Sequence, residues 1–393
     1  MSLKRKGSWL AAWVLFLLVG GPALAEDARE VQLFAPADPA SYGGGPRPNE
    51  GFFFVYEGLY WTIKAPDTAT FGKTPTPATA RVVYWGPSDL DTTTQTSSFD
   101  TSFLKADWTG GQRIEFGSIY EHSGWLISYM ELTRQSQFST RSNVQVYYDD
   151  DKWGHNTEYS HLQGHTDTDL VSTTNIQNLG VEYDSVTLRN FTKFWGVEAA
   201  YLFRMHPFDG GTYAEIIGGP RYVEFNDQFD IEAQGGLLAD TNLVTKADNR
   251  MVGGEIGLRL NHTCDRWTFS ALGLFAGLAN MQTVRSTGII GTQLNPPGGT
   301  MEPLAMGPLD VNHIFHKTEF SPLIEMRVEA KYQITRAITV KAGWNGIWLD
   351  HVARASNMID YHLYETSALG LLGENNKQNV FMNGLVVGLE VNR

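Results

Sequence analysis

Ile324-Glu325-Met326-Arg327-Val328-Glu329-Ala330-Lys331-Tyr332-Gln333-Ile334 alternates apolar and polar side chains with a period of two that nothing interrupts. Successive side chains of a β-strand point to opposite faces. Ile324, Met326, Val328, Ala330, Tyr332 and Ile334 therefore share one face, and Glu325, Arg327, Glu329, Lys331 and Gln333 share the other. A soluble sandwich strand alternates too. A transmembrane barrel strand differs in turning its apolar side to lipid and enclosing its polar side, which can then be densely charged.

The pattern recurs with less contrast along the chain. Val197, Ala199, Tyr201 and Phe203 alternate with Glu198, Ala200, Leu202 and Arg204, and Ile256, Leu258 and Leu260 alternate with Glu255, Gly257 and Arg259. In the last segment Phe381, Leu385, Val387, Leu389 and Val391 oppose Gly384, Gly388, Glu390 and Asn392, with Asn383 interrupting the apolar face. Strands are expected near 51–64, 111–121, 125–134, 184–205, 212–225, 250–262, 267–283, 318–334, 337–350 and 379–392, about ten in all. The segment from Tyr183 to Met205 is long for one strand; a break at Phe191-Thr192-Lys193 leaves eight to twelve strands open.

The connections supply a separate test, because bacterial barrels have short periplasmic turns, long outer loops and, with an even strand number, both termini in the periplasm. Short connections fall at 121–124, 206–211, 263–266 and 335–337, and long ones at 65–110, 135–183, 226–249, 284–317 and 351–378. They alternate. A closed antiparallel up-and-down transmembrane β-barrel with long extracellular loops is the fold expected over residues 51–393.

The ends agree with export. Lys4, Arg5 and Lys6 precede an apolar run from Trp9 to Gly20, then Gly21-Pro22 and Ala23-Leu24-Ala25. This reads as a secretory signal over residues 1–25, cut after Ala25. The run is shorter than the roughly 20 residues that a helix needs to cross a bilayer. Residues 26–50, with several prolines and Gly43-Gly44-Gly45, read as a flexible periplasmic lead-in. Loss of the three signal cations would take the formal charge from -13 to -16, which argues against a nucleic-acid partner. Cys264 is the only cysteine, so no intrachain disulfide can form and backbone pairing must hold the chain.

Glu198, Arg204, Glu255, Arg259, Glu325, Arg327, Glu329 and Lys331 are the expected charged lining of the lumen. They either line a selective pore or pair across it and plug it. Barrels of about eight strands are filled by side chains, whereas open aqueous channels are typical of roughly sixteen, so a narrow lumen is expected. Tyr60, Trp61, Trp125, Tyr129, Phe194, Trp195, Trp267, Trp344 and Trp348 read as an aromatic girdle at the headgroup level.

Gly51-Phe52-Phe53-Phe54-Val55-Tyr56-Glu57-Gly58-Leu59-Tyr60-Trp61, ending in Ala65-Pro66, resembles the opening of the planctomycete-type putative beta-barrel porin family, type seven. Gly219-Pro220-Arg221-Tyr222 with Glu224-Phe225, and the Gly-rich run from Asn249 to Leu258, are similar to later strands of that family in the same order. The resemblance implies an outer-membrane barrel and gives no catalytic residues. The terminal Glu390-Val391-Asn392-Arg393 departs from the terminal aromatic common in such barrels.

His161, His165, Asp167 and Asp169, with His155 and Asp149-Asp150-Asp151, are metal-ligating residue types in one polar loop. A solvated loop gathers such residues readily, and no metal or cofactor is expected. No Ser or Cys motif for nucleophilic catalysis is present, so the reading is of a non-enzyme. The alternatives are an outer-membrane hydrolase with a rim site at His313, His316, Asp350 and His351, and a soluble exported β-protein. The expected partners are outer-membrane lipid and the barrel-assembly machinery, with the chain as a monomer or an oligomer of unknown size.

Overall fold

Alternation becomes architecture only when the first strand meets the last, and here it does. The structure, a computed structural model, describes residues 51–71, 99–146, 181–208, 211–234, 240–290, 309–335, 337–360 and 370–392. Its strands are β1 (Gly51–Ile63), β2 (Thr70–Phe71), β3 (Phe99–Asp100), β4 (Asp107–Tyr120), β5 (Ser123–Val146) and β6 (Val181–Arg204). They continue as β7 (Thr212–Gln234), β8 (Thr241–Cys264), β9 (Trp267–Ile290), β10 (Leu309–Gln333), β11 (Ile338–Val352) and β12 (Gln378–Asn392).

Strand β1 pairs antiparallel with β12, from Phe53 opposite Asn392 to Ile63 opposite Met382, and with β4 on its other side. The order around the sheet is β1, β12, β11, β10, β9, β8, β7, β6, β5, β4 and back to β1. Ten antiparallel strands thus form a closed barrel, with β2 and β3 a separate two-stranded ribbon inside the β1–β4 connection. In the lower barrel closure leaves no open sheet edge, as a strand-built membrane span requires, whereas nearer the crown β5 beyond Leu132 pairs only with β6 and β10 before Leu323 pairs only with β9. Among the described residues no helix is long and apolar enough to cross a membrane.

Gly51, Asn392 and the short turns after β4, β6, β8 and β10 lie at one end, the base. The last residues of β1, β5, β7, β9 and β11 lie at the other, the crown. Glu121 and Asp265, both at φ 52°, sit in the two-residue turns after β4 and β8. Tight hairpin turns favour that left-handed backbone.

All ten expected strands are present, but several run further toward the crown than their sequence pattern suggested. β5, β7, β8, β9 and β10 extend through much of 135–146, 226–234, 241–249, 284–290 and 309–317, which read as loop. Most of the connection expected at 226–249 is therefore paired strand, from Asn226 opposite Asp248 to Ala233 opposite Thr241. Phe191, Thr192 and Lys193 pair with Gln228, Asp227 and Asn226 without a break, so β6 is one strand and the twelve-strand alternative falls.

The cause of the underestimate is an inversion of faces. Near the base Ile216, Ile256, Leu258, Leu260, Phe275, Met326 and Val328 point outward and are exposed. Nearer the crown strands β6 to β9 turn Val186, Leu188, Phe229, Ile231, Leu243 and Val284 inward to form a buried apolar cluster. A search for strands with apolar residues outside loses them where the apolar residues move inside.

Candidate functional site

The lumen is the candidate site, and period two decides which side chains reach it. Glu325 and Arg327 on β10 face inward because Ile324, Met326 and Val328 face out. Arg327 Nε bonds Glu325 at 2.6 Å, its Nη1 bonds Glu115 of β4 at 2.7 Å, and its Nη2 lies 3.7 Å from Glu198 of β6. Arg113 of β4 reaches Glu325 at 3.1 Å and Glu57 of β1 at 3.3 Å. Arg221 of β7 binds Glu325 at 2.7 Å, Glu255 of β8 at 3.1 Å and Glu198 at 3.3 Å.

β4 and β10 are not neighbours around the barrel, nor are β7 and β10. The Arg113–Glu325, Arg221–Glu325 and Arg327–Glu115 pairs therefore cross the lumen, while Arg113–Glu57, Arg221–Glu255 and Arg221–Glu198 join neighbouring strands. Glu325 is fully buried, and it gathers Arg113, Arg221, Arg327 and the Nδ2 of Asn345, the last at 3.1 Å. Nearer the base, Lys341 bonds Glu57 and lies 3.2 Å from Glu329, and Lys331 lies 3.1 Å from Glu390. There Glu215 holds both Arg204, at 2.8 Å, and Arg259, at 3.3 Å. A buried charge left without its partner is strongly destabilising, so the belt is stable only as a set.

Toward the crown the belt gives way to an apolar layer. Leu59, Trp61, Leu132, Phe194, Val223, Phe225, Leu278 and Leu323 are buried together across the lumen. Beyond it the β11–β12 connection folds inward. Asn249 of β8 bonds the Ala353 carbonyl at 2.9 Å and accepts the Ala353 N–H at 2.8 Å. Gln282 of β9 and Ser321 of β10 donate to the His351 carbonyl at 2.9 and 3.0 Å. Arg354, buried beside the Phe225 ring, bonds Asp227 of β7 at 3.1 Å. His351 adopts φ 55°, a left-handed turn that carries the chain inward.

The eight charged residues expected from sequence at the lumen all lie inside the barrel and in this network. Sequence reading missed Glu57, Arg113, Glu115, Glu215, Arg221 and Lys341 as lumen residues. Arg113 and Glu115 flank the outward Ile114 with the same period, but Gly110 and Gly111 beside them dilute the signal.

Two aromatic assignments change. Trp61 is fully buried in the lumen layer, and so is Phe194, because Tyr60 and Trp195 next to them take the outward positions. Adjacent strand residues cannot both face lipid. Tyr60, Trp125, Trp267 and Trp344 are exposed on the exterior, and Tyr129, Trp195 and Trp348 are half-buried there. Outward rings meet at both ends of the apolar band. Tyr60 stacks on Trp108 at 4.6 Å and Trp195 lies 5.4 Å from Tyr222 toward the crown, while Trp267 lies 4.9 Å from Tyr332 near the base.

The rim histidines do not converge. His316 faces outward beside Thr283, His313 lies on the opposite face of the same strand, and His351 lies 3.4 Å from Asp350 on β11. The loop cluster of His155, His161, His165, Asp167 and Asp169 lies outside the described residues, as do the signal and lead-in.

Solved outer-membrane proteins are among the structures similar to this chain. The outer membrane protease OmpT of Escherichia coli is 10% identical over 88% of this chain and 97% of its own, with a TM-score of 0.37. The toluene transporter TbuX of Ralstonia pickettii is 9% identical over 90% and 94%, with a TM-score of 0.25. At those scores neither likeness bears on function. No curated protein matches the chain. The model of the family described as putative beta barrel porin-7 matches residues 53–392, which takes in every strand of the barrel, and the chain belongs to that outer-membrane β-barrel family.

Proposed function

We propose that this chain is an outer-membrane β-barrel that serves the envelope as a structural, porin-like element whose lumen is sealed at rest. The observation that carries this reading is the set of ion pairs joining non-adjacent strands through Glu325 and Arg327. Hydrated solutes need a continuous wet path. Here the path meets the charged belt, the apolar layer around Trp61 and Phe225, and the inward turn at Ala353 in succession.

The termini and short turns then face the periplasm, the crown faces outward, and export proceeds by cleavage after Ala25. Insertion is by the barrel-assembly machinery, and outer-membrane lipid covers the exterior band. The barrel carries no catalysis in this reading. Planar-bilayer recording of the purified barrel tests it: silence is expected from the native chain, and steady ohmic conductance would refute a sealed lumen.

A further inference from the structure

The base end of the lumen contains an opening that the belt does not fill, a cavity of about 50 Å³. A water needs roughly 10–15 Å³ of such space, so the cavity holds a few waters or one small polyatomic ion. Its wall decides which. Five cations and four carboxylates face it. Glu115, Glu329 and Glu390 each pair with a lysine or arginine, although Arg327 also holds Glu325 and Lys341 also holds Glu57, whereas Glu215 is held by two guanidinium groups.

Arg204 donates from Nε and Nη2 to Oε1 of Glu215 at 2.9 and 2.8 Å, while Arg259 makes a single, longer bond from Nη1 to Oε2 at 3.3 Å. Of the five wall cations Arg259 thus lies farthest from its nearest carboxylate partner. The side chain of Arg259 is 17% exposed and that of Lys331 18%, so solvent reaches this wall.

A second observation points to the same ligand. Asn261, two residues from Arg259 and on the same face, is 3% exposed, and its Nδ2 has no acceptor among the described residues. A buried donor left unpaired is destabilising, so a ligand that accepts from it is favoured. Ser270 stands directly across the ladder from Asn261 and lines the same cavity. A guanidinium, an unpaired amide N–H and a hydroxyl able to donate thus converge on one side of the cavity.

We propose that this cavity binds a small oxyanion of the phosphate, sulfate or carboxylate type, entering from the base and held by Arg259, Asn261 and Ser270. The site holds whether or not the lumen conducts. Calorimetric titration of the full-length barrel in non-ionic detergent tests it, using inorganic phosphate, sulfate and acetate in turn, with chloride at matched ionic strength as control.

Saturable binding of at least one oxyanion is expected, weakened about tenfold or more by Arg259→Gln, the loss of one charge-assisted hydrogen bond. Asn261→Leu weakens it less, and Lys246→Gln in the crown leaves it unchanged. Heat-shift gels establish that each variant is folded. Should Arg259→Gln not fold, Arg259→Lys, which keeps the charge and loses the fork, takes its place with a smaller loss. No saturable binding of any of the three anions, or equal affinity in native, Arg259 and Asn261 variants, overturns the proposal.

Discussion

Strand β7 contains both halves of this molecule. From Thr212 to Tyr222 it turns Ile216, Pro220 and Tyr222 outward and Glu215 and Arg221 inward. From Val223 to Gln234 it turns Glu224, Asn226, Gln228, Asp230 and Glu232 outward, and Val223, Phe225, Phe229, Ile231 and Ala233 inward. The backbone is the same and no register shift separates the two parts in the pairing with β8. What changes is the surrounding medium. Within the apolar band lipid takes the hydrophobic side chains and the interior is left to charges. Above it water takes the polar ones and the interior becomes an ordinary apolar core.

The inward Asp227 is the exception in the upper part, and it is the residue that binds Arg354 and the Ala355 N–H of the inward-folded segment. One carboxylate thus joins the core of the crown to the seal of the lumen.

The largest effect should come from cutting the belt in the lower half. Arg327→Ala leaves Glu325, Glu115 and Glu198 short of a buried counter-charge and should cost roughly 3–5 kcal/mol, read as a lowered urea midpoint in detergent micelles. A midpoint within error of the native one would show that the belt is solvated rather than sealed. The next effect contrasts two neighbours on β1. Trp61→Ala empties the lumen layer and should cost about 3–5 kcal/mol. Tyr60→Ala removes only the lipid-side stack on Trp108, worth about 1 kcal/mol. Equal losses at the two positions would contradict the assignment of faces.

The smallest effect belongs to the crown. Burial pushes the Asp230 carboxyl above its ordinary range, against a hydrogen bond from Gln228 that lowers it. A folded-state pKa above the unfolded one means that protonation favours the fold, so this group opposes stability at neutral pH and ceases to as pH falls. Asp230→Asn should stabilise the crown slightly at neutral pH, with the advantage vanishing in acid, as seen by amide exchange in β7 and β8. A loss of protection at neutral pH would reverse the sign.

The lower half was legible in the sequence because lipid enforces one pattern. Ile324 to Ile334 is enough to set the faces of β10, and the alternation of short and long connections then orders the barrel. The upper strands were not legible for the complementary reason. Leu243, Thr245, Ala247 and Asn249 on β8 face inward, yet with Val244, Lys246, Asp248 and Arg250 between them they present no lipid-type stripe. Cross-lumen partners were out of reach altogether. That Arg113 meets Glu325 depends on barrel closure and on the stagger of strands far apart in sequence, and neither leaves a local trace.

The point where β7 leaves the membrane separates the two halves. The direct measurement is a spin-label scan at the exterior positions 216, 218, 222, 224, 228 and 232, in a Cys264→Ser background reconstituted into lipid, comparing access by dissolved oxygen with access by a water-soluble nickel chelate. Lipid-like accessibility at 216, 218 and 222 with a switch to water-like accessibility from 224 onward is the predicted result; uniform water-like access along the whole strand would contradict it.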